Sequence, residues 1–160
     1  MRIHNVHERT VPLTAEAAGE LLDTLGGPDD RLWPSDRWPP MRIAGGIRPG
    51  ARGHHGAIRY EVCGVEPGRR VRFRFRDMPG LDGEHGFEVL EAGDAAVVRH
   101  VVDATARGPA EWCWRLFLGR LHDACVEDVL DRAEGRAPRA HDPLVRAARL
   151  AFGRLASRLS

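Results

Sequence analysis

The side chains best suited to chemistry in this chain are histidines and a tyrosine set on otherwise apolar strand faces. A strand alternates its side chains, so residues two apart share a face. By that rule His85 stands with Phe87 and Val89, His100 with Val98 and Val102, and Tyr60 with Ile58 and Val62. Such groups can orient the carbonyl or hydroxyl of a bound molecule, or move a proton, because imidazole titrates nearest neutrality. A core histidine with one satisfied hydrogen bond presents the same pattern, so both readings stand. Both also depend on register, since a one-residue slip turns each ring to the other face.

Tryptophans form the second group. Trp33 and Trp38 lie in the Pro-rich stretch Trp33–Pro40, and Trp112 and Trp114 open a long helical pattern. Each pair can stack on a planar ligand at a cavity mouth or plug the end of a core. Two residues apart on a helix point to different faces. Trp114 shares its stripe with Phe117, Leu118 and Leu121, so it is the one expected to face inward.

Other chemistries find little support. His4 and His7, three apart on a strand, fall on opposite faces, and His54-His55 sits in a Gly-flanked turn and is expected to splay outward. No metal site is therefore expected. Serine occurs only at positions 35, 157 and 160, none resembling a nucleophile elbow. The Gly-rich turns lack phosphate-loop spacing, and no cofactor is expected. Arg72, Arg74 and Arg76 alternate with Val71, Phe73 and Phe75, which makes the arginine row a charged outer sheet face and Phe73 and Phe75 the inward one. Arg99 and Asp103 lie opposite His100, on the solvated side. The three cysteines (Cys63, Cys113, Cys125) have no CxxC spacing, and Cys63 lies opposite Tyr60, so reduced thiols in a cytoplasmic protein are expected.

The elements that must position these residues are read from periodicity. Residues 2–13 alternate as a strand. Thr14 caps a helix over 15–25, stopped by Gly26-Gly27. Pro28-Asp29-Asp30 opens a second helical turn reaching Trp33, before the Pro-rich loop. Strands follow over 41–48, 56–65, 69–76, 84–91 and 95–106, separated by Pro-Gly, Asp82-Gly83 and Gly93-Asp94 turns. Gly108-Pro109 starts a helix over 110–134 that ends at Gly135. Successive hairpins followed by one long helix predict an antiparallel α+β layer. This gives a domain over 1–135, followed by a linker and a short basic amphipathic helix over 136–160. The apolar face of that helix, within 143–159, is expected on its own domain; a membrane surface or protein partner is the alternative.

Composition fits one globular domain: 160 residues, 42% apolar, 29% charged. No run approaches the ~20 apolar residues of a membrane span, and Met1-Arg2-Ile3-His4 lacks the apolar region of a secretory signal. A formal charge of +1 gives no expectation of nucleic-acid binding. Every basic residue among the 24 is Arg, which fits a GC-rich bacterial genome.

Several stretches carry a resemblance. His7–Glu16 is similar to the first strand and helix entry of the START-like superfamily, which includes the polyketide cyclases and the Bet v 1-type allergens. Glu66–Phe75 is similar to its turn and fourth strand. Asp30–Met41 and Gly83–Val89 resemble the bacterial SRPBCC proteins. The likeness covers residues 1–134 and implies a helix-grip fold, a curved antiparallel sheet wrapped around a long C-terminal helix. It further implies an apolar pocket between sheet and helix, whose expected ligand contacts are Trp33, Trp38, Tyr60, Phe73, Phe75, His85, Phe87, His100, Trp114 and Leu118. The expected partner is a small hydrophobic molecule, aromatic or polyketide-like. The alternatives are a cyclase or aromatase using the same His and Tyr as acid–base groups, and an interaction module working through the C-terminal helix. No catalytic signature of the superfamily falls on these residues, and ligand identity and oligomeric state stay open.

Overall fold

The structure, a computed structural model, describes residues 1–137 and 139–156, with side chains described through residue 150. Seven strands form one antiparallel sheet: β1 (Arg2–Val11), β2 (Met41–Ile43), β3 (Arg52–His55), β4 (Ile58–Glu66), β5 (Arg70–Phe75), β6 (Leu81–Ala92) and β7 (Ala95–Ala106). Their order across the sheet is β1-β7-β6-β5-β4-β3-β2. Helix α1 (Ala15–Asp23) follows β1 and is capped by Thr14, whose hydroxyl accepts from the Ala17 N–H at 3.2 Å. After β7 the chain runs on as one long helix in three segments: α2 (Pro109–Cys113), a π-helical turn (Trp114–Leu118) and α3 (Gly119–Glu134). Helix α4 (Pro143–Ala156) comes last. The long helix lies against the curved sheet, so the fold is the helix-grip α+β architecture the sequence implied. No helix among the described residues is long and apolar enough to cross a membrane.

Register decides which side chains face the helix. Val62, Phe73, His85, Val102 and Asn5 form one transverse row, and Val71, Phe87, His100 and His7 the next. Odd positions of β5 and β6 and even positions of β7 therefore share the concave face. This is the alternation expected from the sequence. The opposite face carries the arginines, paired with glutamates: Arg74 with Glu84 at 2.7 Å, and Arg99 with Glu8 at 2.7 Å. Such exposed pairs contribute little individually.

Three local expectations are corrected. Residues 28–33 form no helix, because the Asp30 carboxylate accepts from the backbone N–H groups of Gly26, Leu32 and Trp33 at 2.7, 2.9 and 2.8 Å and fixes a turn instead. The strand expected over 41–48 ends at Ile43, where Gly46 N–H turns back to the Ile43 carbonyl. Asp82-Gly83 lies inside β6 and not at a reversal.

The chain after α3 folds back onto it. Arg139 donates twice to Asp131, at 2.7 and 2.6 Å, and His141 Nε2 lies 2.9 Å from Asp128 Oδ2. Val145 is buried in the main core, and the Arg149 guanidinium sits 5.8 Å from the centre of the Trp38 ring. Leu144 and Leu150 face solvent. Of the apolar face expected on this helix, Phe152, Leu155 and Leu159 lie outside the described side chains.

Candidate ligand cavity

A cavity opens between the concave face and the long helix. Its volume is about 70 Å³. That is about half of a ~150 Å³ apolar cavity that takes up one benzene, so the space as it stands holds a few waters, and a ring-sized ligand enters by displacing wall side chains. Its wall is largely aromatic and aliphatic. Trp33, Trp38, Phe75, His85, Phe87, His100, Trp114 and Leu118 line it, eight of the ten residues expected at a ligand.

Tyr60 and Phe73, the other two, stand one layer behind. Both are fully buried, and the rings of His55 and His85 cover them, 5.5 and 5.3 Å from the Tyr60 ring, with Phe73 5.1 Å from His85. Their contribution is to hold those imidazoles. Tyr60 Oη lies 3.3 Å from His55 Nδ1, and Phe73 and Phe75 stack on His85 from two sides.

Two lining histidines were not expected there. His55 belongs to β3 and not to a turn; its ring turns inward to pack 4.7 Å from Trp33. The flanking glycines suggested a reversal, but Gly53 allows the close passage of the Tyr60 ring within a strand pair. His122 lies on α3 and joins His100 at 5.0 Å and Trp114 at 5.6 Å between ring centres. It sits four residues after Leu118 and three before Cys125, so helical spacing alone places it on the inward stripe. The opposite correction applies to Phe117, expected inward but 61% exposed, with Trp112 and Leu116 similarly outward. The π-helical turn is the reason. The Gly119 N–H reaches back five residues to the Trp114 carbonyl, which widens the turn and rotates Phe117 out while Trp114 and Leu118 stay in line.

The two glycines flanking His85 fix its place. At Gly83, φ is +141°, and a Cβ would lie 2.4 Å from the Ala104 Cα; at Gly86 a Cβ would lie 2.2 Å from the Val71 carbonyl oxygen. Neither position admits a side chain without moving a neighbouring strand, so β6 is tied closely to β5 and β7 around the imidazole.

The electrostatics are those of a largely apolar lining with no charged side chain among the described residues. Burial pushes the His85 and His100 imidazoles well below the ordinary histidine value and holds His55 at about 3. Burial also lowers His122, against the opposing hydrogen bond to Asp123. All four rings are neutral at pH 7. Three of their buried nitrogens, His85 Nε2, His100 Nδ1 and His122 Nε2, have no hydrogen-bond partner among the described residues. Asp, Glu and Arg are absent from the described lining.

The wall near α4 is held by Asp128. Its buried carboxylate accepts from Trp38 Nε1 at 2.7 Å and Arg37 Nη1 at 3.1 Å and meets His141. Trp33 Nε1 donates to the Pro39 carbonyl at 2.9 Å. Both indoles are therefore satisfied away from the cavity and present carbon to it.

No protein-family profile and no curated protein sequence matches the chain. Solved structures do. CalU16 from Micromonospora echinospora superposes with a TM-score of 0.62 at 14% identity, over 99% of this chain and 88% of that one. A START superfamily protein from Mycobacterium smegmatis matches with a TM-score of 0.59 at 11% identity, over 84% and 99%. DynU16, a protein of the dynemicin biosynthetic locus, matches with a TM-score of 0.56 at 19% identity, over 86% of this chain and 49% of its own length. These likenesses show the fold: the chain has the START-like, SRPBCC-type helix-grip fold.

Proposed function

We propose that the chain binds a small hydrophobic molecule whose polar end is uncharged and meets the histidine row. The observation that carries this is the set of three buried imidazole nitrogens without partners, on residues that line an otherwise apolar cavity. Buried polar atoms are nearly always satisfied, and each one left unsatisfied costs about 1–3 kcal/mol. A ligand hydroxyl or carbonyl repays that cost. A carboxylate does not, because it would enter a chamber with no cation to offset its desolvation. The aromatic walls suit a flat aromatic, and a ligand of one or two rings needs the wall side chains to move apart to admit it.

Calorimetric titration with three probes of one shape tests this at neutral pH. 2-Naphthol is expected to bind at least about tenfold more tightly than 2-naphthoate, a difference of about 1.4 kcal/mol. Replacing His85 and His100 together by Phe brings 2-naphthol down to the affinity of naphthalene. Naphthoate binding as well as naphthol, or no binding by any of the three, overturns the proposal.

One observation favours a second reading. Burial makes these imidazoles weak bases, but their N–H groups can donate to a substrate carbonyl, so the cavity also suits a cyclase-type enzyme that polarises its substrate. Turnover abolished in His100→Phe while ligand affinity survives selects that reading.

A further inference from the structure

Where β1 meets α3, at the border of the cavity, a second cluster of side chains has contacts that ligand binding does not account for. Asn5 and His7, two apart on β1, point to the same side and meet His122 and Asp123 of α3. His7 Nε2 lies 3.1 Å from Asp123 Oδ1, and His122 Nδ1 lies 3.4 Å from the same oxygen. All three donor atoms fall within 4.8 Å of one another. In a tetrahedral zinc site with bonds of about 2.0–2.1 Å, neighbouring ligand atoms are about 3.3 Å apart. The two measured separations bracket that value.

The surroundings are those of a metal ligand set and not only of an ion pair. The other ring nitrogen of His7, Nδ1, lies 2.8 Å from Glu127 Oε1. A histidine that gives its Nδ1–H to a carboxylate and turns Nε2 to a cation is the usual second-shell arrangement around zinc. Glu127 is itself held by Arg9 at 2.6 Å and Arg139 at 3.1 Å, so its charge is balanced without the cluster. In the neutral tautomer that gives Nδ1–H to Glu127, the Nε2 lone pair faces the Asp123 oxygen at 3.1 Å. Two lone pairs at that distance require a positive centre between them, either a proton or a metal ion. An independent sign comes from Asn5. Its amide nitrogen donates to Asp123 Oδ1 at 2.9 Å, but its carbonyl oxygen, Oδ1, is buried with no partner. Turning the amide over exchanges its nitrogen and oxygen, which brings that oxygen to the Asp123 side as an additional ligand.

We propose that Asn5, His7, His122 and Asp123 form a binding site for one divalent transition-metal ion of the zinc type. Two imidazoles and one carboxylate give three ligands, and the fourth position is taken by the Asn5 carbonyl oxygen or by water. The Asp123 side chain is 47% exposed, so the ion has a route in from solvent. His122 joins the site to the cavity. With Nδ1 on the metal, its Nε2 carries the proton and becomes a stronger donor toward a bound ligand.

The test uses the untagged full-length chain, stripped with chelator and then titrated with Zn²⁺ alone and with Co²⁺ alone. Expected are one equivalent of Zn²⁺ retained after desalting and the intense visible absorption of four-coordinate Co²⁺, which reports geometry without any substitution. His7→Ala and Asp123→Asn, checked for folding by circular dichroism, should lose the absorption. Glu127→Gln, which touches no metal, should weaken affinity by about 10–100-fold. Absence of stoichiometric Zn²⁺, a Co²⁺ spectrum of the weak octahedral type, or full binding in folded His7→Ala overturns the assignment. Because the readouts are metal content and spectrum, failure here leaves the cavity proposal standing, and failure of the naphthol series leaves this site standing.

Discussion

Acid should destabilise this protein in a way that can be traced to single rings. His85 is buried between Phe73 and Phe75, with ring centres 5.1 and 4.8 Å away, and burial keeps it neutral well below the ordinary histidine value. In the unfolded chain it titrates near 6.5. Its native value is depressed, so the unfolded state binds the extra proton, and stability is fullest above about pH 6.5 and falls as the pH drops toward the native value. At pH 5 the lag amounts to about 1.5 pH units, or about 2 kcal/mol for one ring. Phenylalanine has nearly the same shape and no proton to bind. His85→Phe should therefore match or exceed the wild type at pH 7.5, since it also removes an unsatisfied buried nitrogen. By pH 5 it should gain about a further 2 kcal/mol on the wild type. Urea unfolding followed by tryptophan fluorescence at the two pH values measures both quantities. Parallel losses in wild type and variant would show that His85 titrates normally in the folded protein and would refute a cavity that holds its imidazoles uncharged.

Other substitutions probe the frame around the cavity. Asp128→Ala leaves Arg37, Trp38 Nε1 and His141 without their shared acceptor and should destabilise by about 3–5 kcal/mol; tryptic cleavage at Arg136 and Arg139 should speed up, and an unchanged digestion rate would show that the tail is held by other contacts. Gly83→Val places a branched side chain at φ +141° against Ala104 and should destabilise by more than about 2 kcal/mol, measured by the same urea curves. A loss below 0.5 kcal/mol, the range of an ordinary surface substitution, would mean that β6 bends more freely than this packing allows. Trp114→Ala removes an indole from the cavity wall, so the three-ring 2-anthrol should gain affinity relative to 2-naphthol in calorimetry. An unchanged ratio would put the indole outside the binding space.

The sheet was legible because its chemistry is repetitive. β7 carries an unbroken alternation from Ala95 to Ala106, and its ends coincide with the expected strand, so His100 could be assigned a face before any coordinates. His85 followed from the same rule in β6, even though the start of that strand was hidden by Asp82-Gly83, which has the composition of a turn but is a close strand crossing. What stayed hidden depended on contacts between distant segments. His55 looked like a turn residue until β4 supplied the partner strand. His122 lay on the inward stripe of the helix, but polar residues on a stripe carry no label for what they face. The outward turn of Phe117 arises from one widened helical turn, a feature with no marker in hydrophobic periodicity. The pairing of β1 with α3 through His7 and Asp123 joins residues 116 positions apart, beyond the reach of any local pattern.

Native mass spectrometry of the purified chain, followed by denaturing extraction and by incubation with 2-naphthol, tests the cavity most directly. A neutral apolar passenger at one per chain, or one 2-naphthol retained per chain and lost when His85 and His100 are replaced by Phe, is the predicted result. A protein that carries nothing and retains no 2-naphthol, or one that retains it equally after both replacements, contradicts a ligand chamber built around the histidine row.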